Sequence, residues 1–405
     1  MRVCIAGGKG GREHALGWWF ARAGHDVVVA PGNPGIPWAT LGDPVDERAD
    51  LFVLADDASV VGGLGDRLRA RGELVFGPGA DGGRLEGSKA WMKDLLVEGR
   101  VPTARHGSFT DLGLAEAFLR TLPGPYVVKT DYLAEGKGVL VTADLDEAVA
   151  DATAKLDGGG IVVEEAMTGP EISLFAVCDG SRFVRLPVCQ DHKRIGDGDT
   201  GPNTGGMGAY SPVPFASAGE VDRAFDECVE PTLEVLRARG IDYRGVLYTS
   251  VMLTPEGPKV IEHNVRFGDP ECQVLVRLVG SDPYDLLASA AAGELAGAPR
   301  ITTDACVVVS LAAEGYPGTP RRGDLVEGLD AARTVEGVEL FMAGVDAEGR
   351  TAGGRVIHVS ALGPNLAEAH ALAYEAVDRI SWPGMQHRRD IAAQAFRSST
   401  SREVT

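Results

Sequence analysis

The stretch RVCIAGGKGGREHALGWWFARAGHDVVVAPGNPG, residues 2–35, decides the fold of the first part of the chain. The apolar run RVCIA precedes a glycine-rich turn, a helical pattern follows, and a second apolar run, DVVVA, closes the unit. A strand, a turn, a helix and a strand in this order predict a βαβ unit and therefore a parallel sheet. The apolar runs at 51–55 and 73–77 predict two further strands of the same sheet.

Glycine-rich loops follow each of the first two predicted strands, GGKGGREH at 7–14 and PGNPG at 31–35. Backbone N–H groups at a helix N-terminus suit a phosphate. A nicotinamide dinucleotide site would need the pattern GxGxxG and an acidic residue at the end of the second strand, and neither is present. Plain tight turns are the alternative. We favour a small phosphorylated ligand between the two loops, with Lys9 and Arg12 available to it.

Composition limits the classes of partner. The chain has 405 residues, enough for two to four domains, and a net charge of −19. Such a surface repels nucleic acids and anionic membranes, so we expect neither as a partner. The six cysteines show no CxxC spacing and predict reduced thiols. Because the N-terminus does not resemble a signal peptide and no apolar run approaches the ~20 residues of a membrane helix, we expect a cytoplasmic protein.

From about residue 105 the pattern changes from α/β to α+β. The predicted elements are a helix at 86–99 with Lys89 near its start, strands at 126–130, 138–143, 161–167 and 171–180, helices at 144–158 and 221–240, a hairpin of 245–254 with 258–267, short strands from 301, and a helix at 366–381.

The stretch KTDYLAEGKGV, residues 129–139, predicts a phosphate-binding turn between two strands. The chain lacks the P-loop pattern GxxxxGK[ST]. A glycine-containing hairpin with Lys129 and Lys137 can close over a triphosphate and exclude water. An ordinary surface turn is the alternative.

The stretch IEHNVRFGDPE, residues 261–271, predicts a metal site. Glu262 and Asn264 lie two residues apart and therefore on one face of a strand. Two hard oxygen ligands on one face suit Mg²⁺ bound to phosphates. A solvent-exposed edge strand would show the same alternation, but Arg266, Asp269 and Glu271 add a dense charged cluster that favours a functional site.

The stretch QDHKRIGDGDTGPNTGGMGAYSP, residues 190–212, predicts a long functional loop, because compact domains seldom carry a loop of this length without a function. His192 alone would more often be structural. It is flanked by Asp191, Lys193 and Arg194, which suit a carboxylate and a phosphate.

Over nearly its whole length the chain resembles the glycinamide ribonucleotide synthetases of the ATP-grasp superfamily. The motifs that carry the resemblance are, in order along the chain, GGREHAL, PGN, LEGSK, VVK with GKGV, VEE with GPE, QDHKR, GPNTGGMGAYSP, RFGDPE, EGYPG, GGRV and GMQHRRDI. The resemblance implies a multidomain α/β and α+β fold. It comprises a Rossmann-like N-terminal domain (1–86) for the amine substrate, an ATP-grasp central domain (87–298) with a lid at about 107–170, and a small α+β C-terminal domain (299–396). We expect a frayed tail at 397–405.

The resemblance also implies an activity, namely an ATP-dependent carboxylate–amine ligase that forms an acyl phosphate and releases ADP. Its substrates would be glycine and phosphoribosylamine, and its cofactors ATP with Mg²⁺, for which Mn²⁺ is the alternative. It would act as a monomer or homodimer on small molecules. A related ligase of specialised metabolism with another amine acceptor, and a non-catalytic nucleotide-binding regulator, are the alternatives.

By the same resemblance each candidate residue receives a role. Lys89, Lys129 and Lys137 would contact ATP phosphates, Glu164 and Ala166 the adenine through backbone groups, and Glu171 the ribose. Glu262 and Asn264 would hold the metal ion, and Arg266, Asp191 and Lys193 would act at the reacting carboxylate. The substrate-binding residues would be Gly10, Gly11, Arg12, Gly32, Asn33, Asp57, Asn203, Thr204, Gly205, Gly206, Met207 and Arg355.

Some positions depart from the family pattern. Those expected around the amine are ADDASV at 55–60, Lys9, Met342 and Ala352, and those expected nearer the chemistry are Tyr132, Cys189, Ser250 and His263. A polar pocket discriminates strongly between hydroxyl patterns, so the first group leaves another amine acceptor open.

Overall fold

The computed structural model describes residues 1–8, 10–133 and 138–396. Lys9, Lys137 and the tail predicted to fray lie outside the described residues. The strands are β1 Arg2–Gly7, β2 Asp26–Pro31, β3 Leu51–Leu54, β4 Val75–Phe76, β5 His106–Phe109, β6 Tyr126–Thr130, β7 Val139–Thr142, β8 Ile161–Glu165, β9 Glu171–Asp179, β10 Phe183–Arg185, β11 Gln190–Asp191, β12 Arg194–Gly196, β13 Thr200–Asn203, β14 Gly208–Ser211, β15 Arg244–Thr254, β16 Gly257–Asn264, β17 Ala305–Ala312, β18 Val338–Met342 and β19 Arg355–Gly363.

The α-helices of the described residues are α1 Gly11–Arg22, α2 Asp57–Val61, α3 Leu64–Ala70, α4 Ala80–Gly87, α5 Lys89–Glu98, α6 Leu112–Leu119, α7 Leu145–Leu156, α8 Ala218–Ala224, α9 Glu230–Ala238, α10 Glu271–Leu278, α11 Pro283–Ala292, α12 Leu329–Arg333 and α13 Leu366–Val377. Within the described ranges, no helix combines the length and the apolar character that a membrane crossing requires.

The N-terminal sheet has the order β2-β1-β3-β4, and all its strands run parallel. The βαβ prediction is therefore confirmed. Residues 3–6 of β1 are fully buried, because helices cover both faces of a parallel sheet. The carboxyl ends of β1, β2 and β3 bring the loops that follow them to one edge, where ligands of such sheets bind.

The single helix predicted at 86–99 is two helices, α4 and α5, that meet at Ser88. Ser88 has an extended backbone, and its side chain accepts the N–H of Trp91 as the N-cap of α5. A capping serine competes with helical continuation, so the chain turns here. Lys89 thereby becomes the first residue of a helix.

The segment from β5 to β8 forms a small α/β layer with the sheet order β5-β8-β6-β7. Helices α6 and α7 cover it, and its hydrophobic cluster, which includes Leu119, Val128 and Val163, is separate from the two larger clusters of the described residues. A layer with its own core can move as a unit, as a lid must.

The central sheet has the order β10-β9-β15-β16, and β15 and β16 form the predicted antiparallel hairpin. The helix predicted at 221–240 is interrupted by the π-helical turn Phe225–Val229 between α8 and α9. Pro231 follows that turn and has no N–H to donate one turn back, which accounts for the wider turn.

The prediction of one long loop at 190–212 is wrong. The stretch contains β11, β12, β13 and β14, of which β12 and β13 form a hairpin of their own. Strands β11 and β14 join the C-terminal strands in the sheet β11-β14-β17-β19-β18. The glycines hid these strands, since glycine has little strand propensity. The proposed boundary at 298/299 therefore separates segments of the chain but not the sheets.

Candidate functional site

Three lysines from different elements converge on Glu262, which lies on the edge strand β16. The Nζ of Lys193 lies 3.9 Å from the Oε1 of Glu262. Although burial opposes its ionisation, Lys193, Lys129 and Lys89 lower the pKa of Glu262. Glu262 is therefore a carboxylate within a cationic environment that suits the phosphates of a nucleotide.

Glu171, at the start of β9, closes one side of this cluster. Its Oε1 accepts hydrogen bonds from the Nζ of Lys193 and the hydroxyl of Ser250. Although burial opposes the charge, Glu171, Glu262 and Asp191 raise the pKa of Lys193. Lys193 therefore stays protonated, and Ser250, one of the departures from the family pattern, contributes a hydroxyl to the predicted ribose-binding carboxylate.

Lys129 and Glu164 lie at the base of the lid layer. The Nζ of Lys129 is 3.0 Å from the Oε2 of Glu164, and the Nζ of Lys93, on α5, is 3.0 Å from its Oε1. Against the effect of burial, the two lysines lower the pKa of Glu164 to about 2. Glu164 thus fixes the position of Lys129, the predicted phosphate ligand. Through Lys93 it also connects the lid to α5.

The backbone of Glu164 lies inside the lid sheet, paired with both β5 and β6. The N–H of Ala166 donates to the carbonyl of Pro125 at 3.0 Å, so a contact from Ala166 to an adenine would have to use its carbonyl. Lys89 donates to the carbonyl of Tyr132 at 3.3 Å. It therefore spans the gap between α5 and the lid.

Arg266 lies between the N-terminal domain and the predicted metal ligands Glu262 and Asn264. Its Nη2 is 2.8 Å from Oε1 of Glu86 and donates to Oδ1 of Asn264 at 3.1 Å. The other oxygen of Glu86 accepts the N–H of Val265 at 2.8 Å. Glu86 thus fixes Arg266, and Arg266 fixes the orientation of the Asn264 amide.

Asp191 has a buried carboxyl oxygen, Oδ1, with no hydrogen-bond partner in the described structure. Burial and the nearby Glu271 raise the pKa of Asp191 well above its usual range. A Cβ on Gly206 would lie 2.7 Å from that oxygen, so this position needs a glycine, which also adopts a φ of +113°. A buried acceptor without a partner is costly, and a ligand that donates a hydrogen bond would satisfy it.

The two glycine loops of the N-terminal domain contact each other directly. The N–H of Gly32 donates to the carbonyl of Gly7 at 3.0 Å, and the side-chain amide of Asn33 donates to the carbonyl of Gly8 at 3.4 Å. A Cβ on Gly8 would lie 2.5 Å from the carbonyl oxygen of Gly32. Asp57 lies in the first turn of α2, where its carboxylate accepts the N–H of Ala58 at 2.8 Å.

Gly10, Gly11 and Arg12 face the central and C-terminal parts of the chain rather than open space. A Cβ on Gly10 would lie 2.4 Å from Oδ2 of Asp269, and one on Gly11 would lie 2.2 Å from Cδ2 of His358. Arg12 is buried, and its Nη1 donates to the carbonyl of Phe267 at 3.0 Å. The expectation that Arg12 is available to a ligand is therefore wrong in this conformation.

The residues 203–207 pack against the C-terminal strands. Arg355 donates to the carbonyls of Gly205 and Gly206 at 2.7 and 3.1 Å, and its Nη2 is 3.3 Å from Asp269. Thr204 donates its hydroxyl to the carbonyl of Lys193 at 2.9 Å. Asn203 pairs with Arg194 in the β12–β13 hairpin.

Met207 has no exposed surface, and this favours a packing role over the predicted substrate contact. His192 is buried too, and its Nε2 accepts the N–H of Ala392 at 3.2 Å. It faces away from Asp191 and Lys193. The structural interpretation of His192 is therefore the one that the packing supports.

Comparison with known proteins decides the family. Residues 1–86 match the N domain of phosphoribosylglycinamide synthetase, residues 87–272 match its ATP-grasp (A) domain, and residues 306–394 match its C domain. The chain belongs to the phosphoribosylglycinamide synthetase family.

Named relatives agree with this assignment. A phosphoribosylamine–glycine ligase of Mesorhizobium japonicum is 43% identical over 98% of this chain and 98% of its own length. A phosphoribosylamine–glycine ligase of Caulobacter vibrioides is 45% identical over 96% of this chain and 97% of its own. The crystal structure of a phosphoribosylamine–glycine ligase from Thermotoga maritima superposes with a TM-score of 0.84 and 34% identity, covering 97% of this chain and all of that one.

The expected mixed α/β multidomain fold, and an ATP-dependent carbon–nitrogen ligase on it, are therefore confirmed. As a member of the phosphoribosylglycinamide synthetase family, the chain uses small-molecule substrates and binds ATP with a divalent metal ion.

Sequence reasoning missed two residues of this site, Lys93 and Glu86. Lys93 lies in a helical pattern where a lysine usually faces solvent, yet its side chain is fully buried against Glu164. Glu86 lies in the motif LEGSK, but no local pattern indicates that it pairs with a residue 180 positions away. The motif LEGSK contains Glu86 but not Lys93, so for Lys93 there was no signal.

The residues that depart from the family pattern have different environments in the structure. His263 is buried, with Nδ1 and Nε2 at 3.0 and 3.2 Å from the hydroxyls of Thr249 and Thr232. Cys189 is buried, and Tyr132 is exposed on the lid. Met342 lies against Gly35 of the second glycine loop, where it donates its N–H to His14, and Ala352 donates its N–H to Gly344.

Proposed function

We propose that this enzyme joins glycine to phosphoribosylamine with the hydrolysis of ATP to ADP and phosphate, a step of de novo purine synthesis. The observation that carries the proposal is the group of cations around Glu262, in a chain that matches all three domains of the family. Lys193 lies 3.9 Å from the Glu262 carboxylate, and Lys129 donates to the carbonyl of the adjacent Ile261 at 3.5 Å. Phosphoryl transfer depends on charge neutralisation and positioning more than on covalent catalysis.

In this proposal Lys89, Lys129 and Lys137 neutralise the phosphates of ATP. Lys129 is held by Glu164 at 3.0 Å and exchanges this partner for a phosphate when ATP binds. Lys93 remains beside Glu164, so the carboxylate keeps a counter-charge during the exchange. Glu171 accepts hydrogen bonds from the ribose hydroxyls, and the carbonyl of Ala166 accepts one from the adenine.

Mg²⁺ is the metal ion that best fits the donors. Glu262 and Asn264 supply two hard oxygens on one edge of β16. Among the described residues no three His, Cys, Asp or Glu side chains converge as a metal site. Mg²⁺ commonly uses one or two protein oxygens and completes its shell with phosphates and water, so two donors suffice. Mg²⁺ supplies charge neutralisation to the phosphates, and Mn²⁺ would do the same.

Arg266, Lys193 and Asp191 act on the carboxylate half of the reaction. Arg266 and Lys193 hold the glycine carboxylate, one oxygen of which attacks the γ-phosphorus while the bond to the ADP oxygen breaks. Both are cations that stabilise the charge that develops on the transferring group. The unpartnered Oδ1 of Asp191 is suited to the amino group of glycine, which carries hydrogen-bond donors.

The amine then attacks the acyl carbon, phosphate leaves and the amine releases a proton. We propose that the loops with Gly10, Gly11, Gly32 and Asn33, together with Asp57, bind phosphoribosylamine at the carboxyl edge of the N-terminal sheet. Thr204 contacts the backbone of Lys193, and Arg355 joins Gly205 to Asp269, which lies against Gly10 of the first glycine loop. They are placed to shield the acyl phosphate from water.

The experiment is an ADP-release assay with purified enzyme. We expect release that requires both glycine and phosphoribosylamine, product with the mass of glycinamide ribonucleotide, and loss of at least about a hundredfold in kcat for Glu262→Gln. Product from another amine but none from phosphoribosylamine would overturn the proposal. A cytoplasmic location is also proposed, since all six cysteines are free, buried thiols.

A further inference from the structure

The motif GMQHRRDI, residues 384–391, packs against the β12–β13 hairpin through charged groups. Arg388 in this motif is only 1% exposed and ranks among the largest fully buried side chains of the described residues. Its Nε and Nη2 each lie 2.7 Å from the carboxylate oxygens of Asp390. A buried arginine needs several acceptors, and the remaining ones come from another part of the chain.

Those acceptors lie in the β12–β13 hairpin. The Nη1 of Arg388 donates to Oδ1 of Asp199 at 2.6 Å and to the carbonyl of Arg194 at 3.2 Å. In the same contact, Gly198 donates its N–H to Asp390 at 2.8 Å, and the N–H of Arg389 donates to Asp197 at 2.7 Å. The hairpin tip and the C-terminal segment therefore bind each other through charged groups on both sides.

The C-terminal segment contacts the residues that precede and follow Lys193 in the sequence. Arg388 binds the carbonyl of Arg194, on one side of it, and the N–H of Ala392 donates to His192, on the other. His192 faces the C-terminal segment, whereas the side chain of Lys193 faces Glu171 and Glu262. The carboxyl of Asp191 lies beside Gly206, with Glu271, Lys193 and Glu171 nearby. The segment thus contacts one side of the short connection between β11 and β12, and Lys193 projects from the other side.

Backbone strain occurs at the same place. Of the four non-glycine residues with positive φ in the described ranges, two lie in this contact, Asp199 at +56° and Ala392 at +66°. Such conformations cost free energy and persist only where surrounding contacts enforce them. The contact therefore fixes the hairpin in one geometry.

We propose that the segment 386–392 is a positioning element for the carboxylate half of the reaction and that Arg388 is its positioning residue, acting through the β12–β13 hairpin on Lys193 and Asp191. The inference rests on the proposed function for the identity of the carboxylate. It assigns the C-terminal segment an indirect part in binding that carboxylate, through the contacts of Arg388 with the hairpin.

The test compares Arg388→Lys and Asp199→Asn with Arg379→Met. Lysine cannot serve all the acceptors of Arg388, and Asp199 is exposed enough to be changed without damage to the core. Arg379 also binds carbonyl and carboxylate groups of the C-terminal domain, but none in the hairpin. We measure KM for glycine, ATP and phosphoribosylamine separately, kcat, thermal unfolding, and hydrogen–deuterium exchange of residues 190–204.

For Arg388→Lys and Asp199→Asn we expect KM for glycine to rise about tenfold, with the other two KM values within about twofold, and faster exchange at 190–204. Arg379→Met should lower thermal stability and leave every KM unchanged. Unchanged exchange at 190–204, or an equal rise in all three KM values, overturns the proposal. Exchange is read without substrate, so an inactive wild-type enzyme would refute the proposed function and not this positioning role.

Discussion

Lys93 is a buried cation. It neutralises one oxygen of Glu164, and Lys129 neutralises the other. Removing one partner of a buried ion pair leaves the other uncompensated. We expect Lys93→Met to lower the free energy of unfolding by about 3 kcal/mol, measured by urea denaturation. Lys129 then becomes the sole counter-charge of Glu164, so KM for ATP should rise as well.

Lys259→Met is the matched control, because Lys259 pairs with the exposed Glu256 on the surface. Such a pair contributes about 0–1 kcal/mol, and its loss should leave KM for ATP unchanged. Equal losses of unfolding free energy in the two variants would show that the buried Lys93–Glu164 pair contributes no more than an exposed pair.

His263 makes the stability of the protein sensitive to acid. Burial lowers the pKa of His263 to about 3, and burial also lowers the pKa of His14 and of His358 to about 4. Between the ordinary pKa of histidine and these values, the unfolded chain takes up protons that the folded chain does not. Stability therefore falls as pH falls below about 6.5, by up to about 1.4 kcal/mol per pH unit for each histidine.

We expect His263→Phe to remove one of these three contributions. At pH 7.5 the variant should be less stable by about 1–3 kcal/mol, because the hydroxyl of Thr249 loses its partner. At pH 5.5 this deficit should shrink by about 1 kcal/mol. Urea unfolding at the two pH values measures both; a deficit that is the same at pH 7.5 and 5.5 would mean that His263 titrates normally.

At the scale of elements, the break between α4 and α5 joins the lid to the body. The hydroxyl of Ser88 caps α5 and also donates to Oδ1 of Asp131, which follows β6. The same carboxylate oxygen accepts the N–H of Ala90 at 2.8 Å. The strand with Lys129 and the helix with Lys89 are thus fixed relative to each other by one capping arrangement.

We expect Ser88→Ala to lower the free energy of unfolding by about 1 kcal/mol and to raise KM for ATP. Ser217→Ala provides the comparison, since Ser217 caps α8 in a capping box with Glu220. It should lose similar stability and keep the wild-type KM. If KM for ATP rises equally in both variants, the effect of Ser88 is a general loss of stability.

The elements that could be predicted from sequence are those with a strong local signal. Val3, Ile5 and their neighbours form an apolar run, and the β15–β16 hairpin has alternating residues on both sides of a turn. Ser88 was missed because its capping bond competes with an unbroken helical pattern. Strands β12 to β14 were missed because their stability comes from the C-terminal strands and from Arg388, which lie about 100 and 190 residues away.

At the scale of the whole molecule, sequence motifs identified most of the candidate ligands but not their mutual arrangement. Glu262 and Asn264 could be placed on one face by strand periodicity, and the motifs supplied Lys89, Lys129 and Lys193. The packing of the three domains determines that Arg12 binds the carbonyl of Phe267 and that Glu86 fixes Arg266. Such contacts have no local pattern in the sequence.

The N-terminal and C-terminal parts pack closely where Gly11, at the start of α1, meets His358. A Cβ on Gly11 would lie 2.2 Å from Cδ2 of His358 and 2.8 Å from Nε2 of Gln273. His358 is held by Ser310 at 2.9 Å and lies 3.3 Å from Asp269, so the ring cannot move away without breaking these contacts. The first glycine loop, Asp269 and the C-terminal sheet therefore form one rigid junction.

We expect Gly11→Ala to lower the free energy of unfolding by about 1–3 kcal/mol and to raise KM for phosphoribosylamine more than KM for ATP. His358→Ala removes the obstructing ring, so the double variant should be more stable than the sum of the single changes predicts, by at least about 1 kcal/mol. Gly219→Ala is the control, because it lies in α8 with no atom within 4 Å of its added Cβ, and alanine there should be neutral or stabilising. Strict additivity of Gly11→Ala and His358→Ala would show that the two residues do not limit each other, and the N-terminal loop would then be free to move independently of the C-terminal sheet.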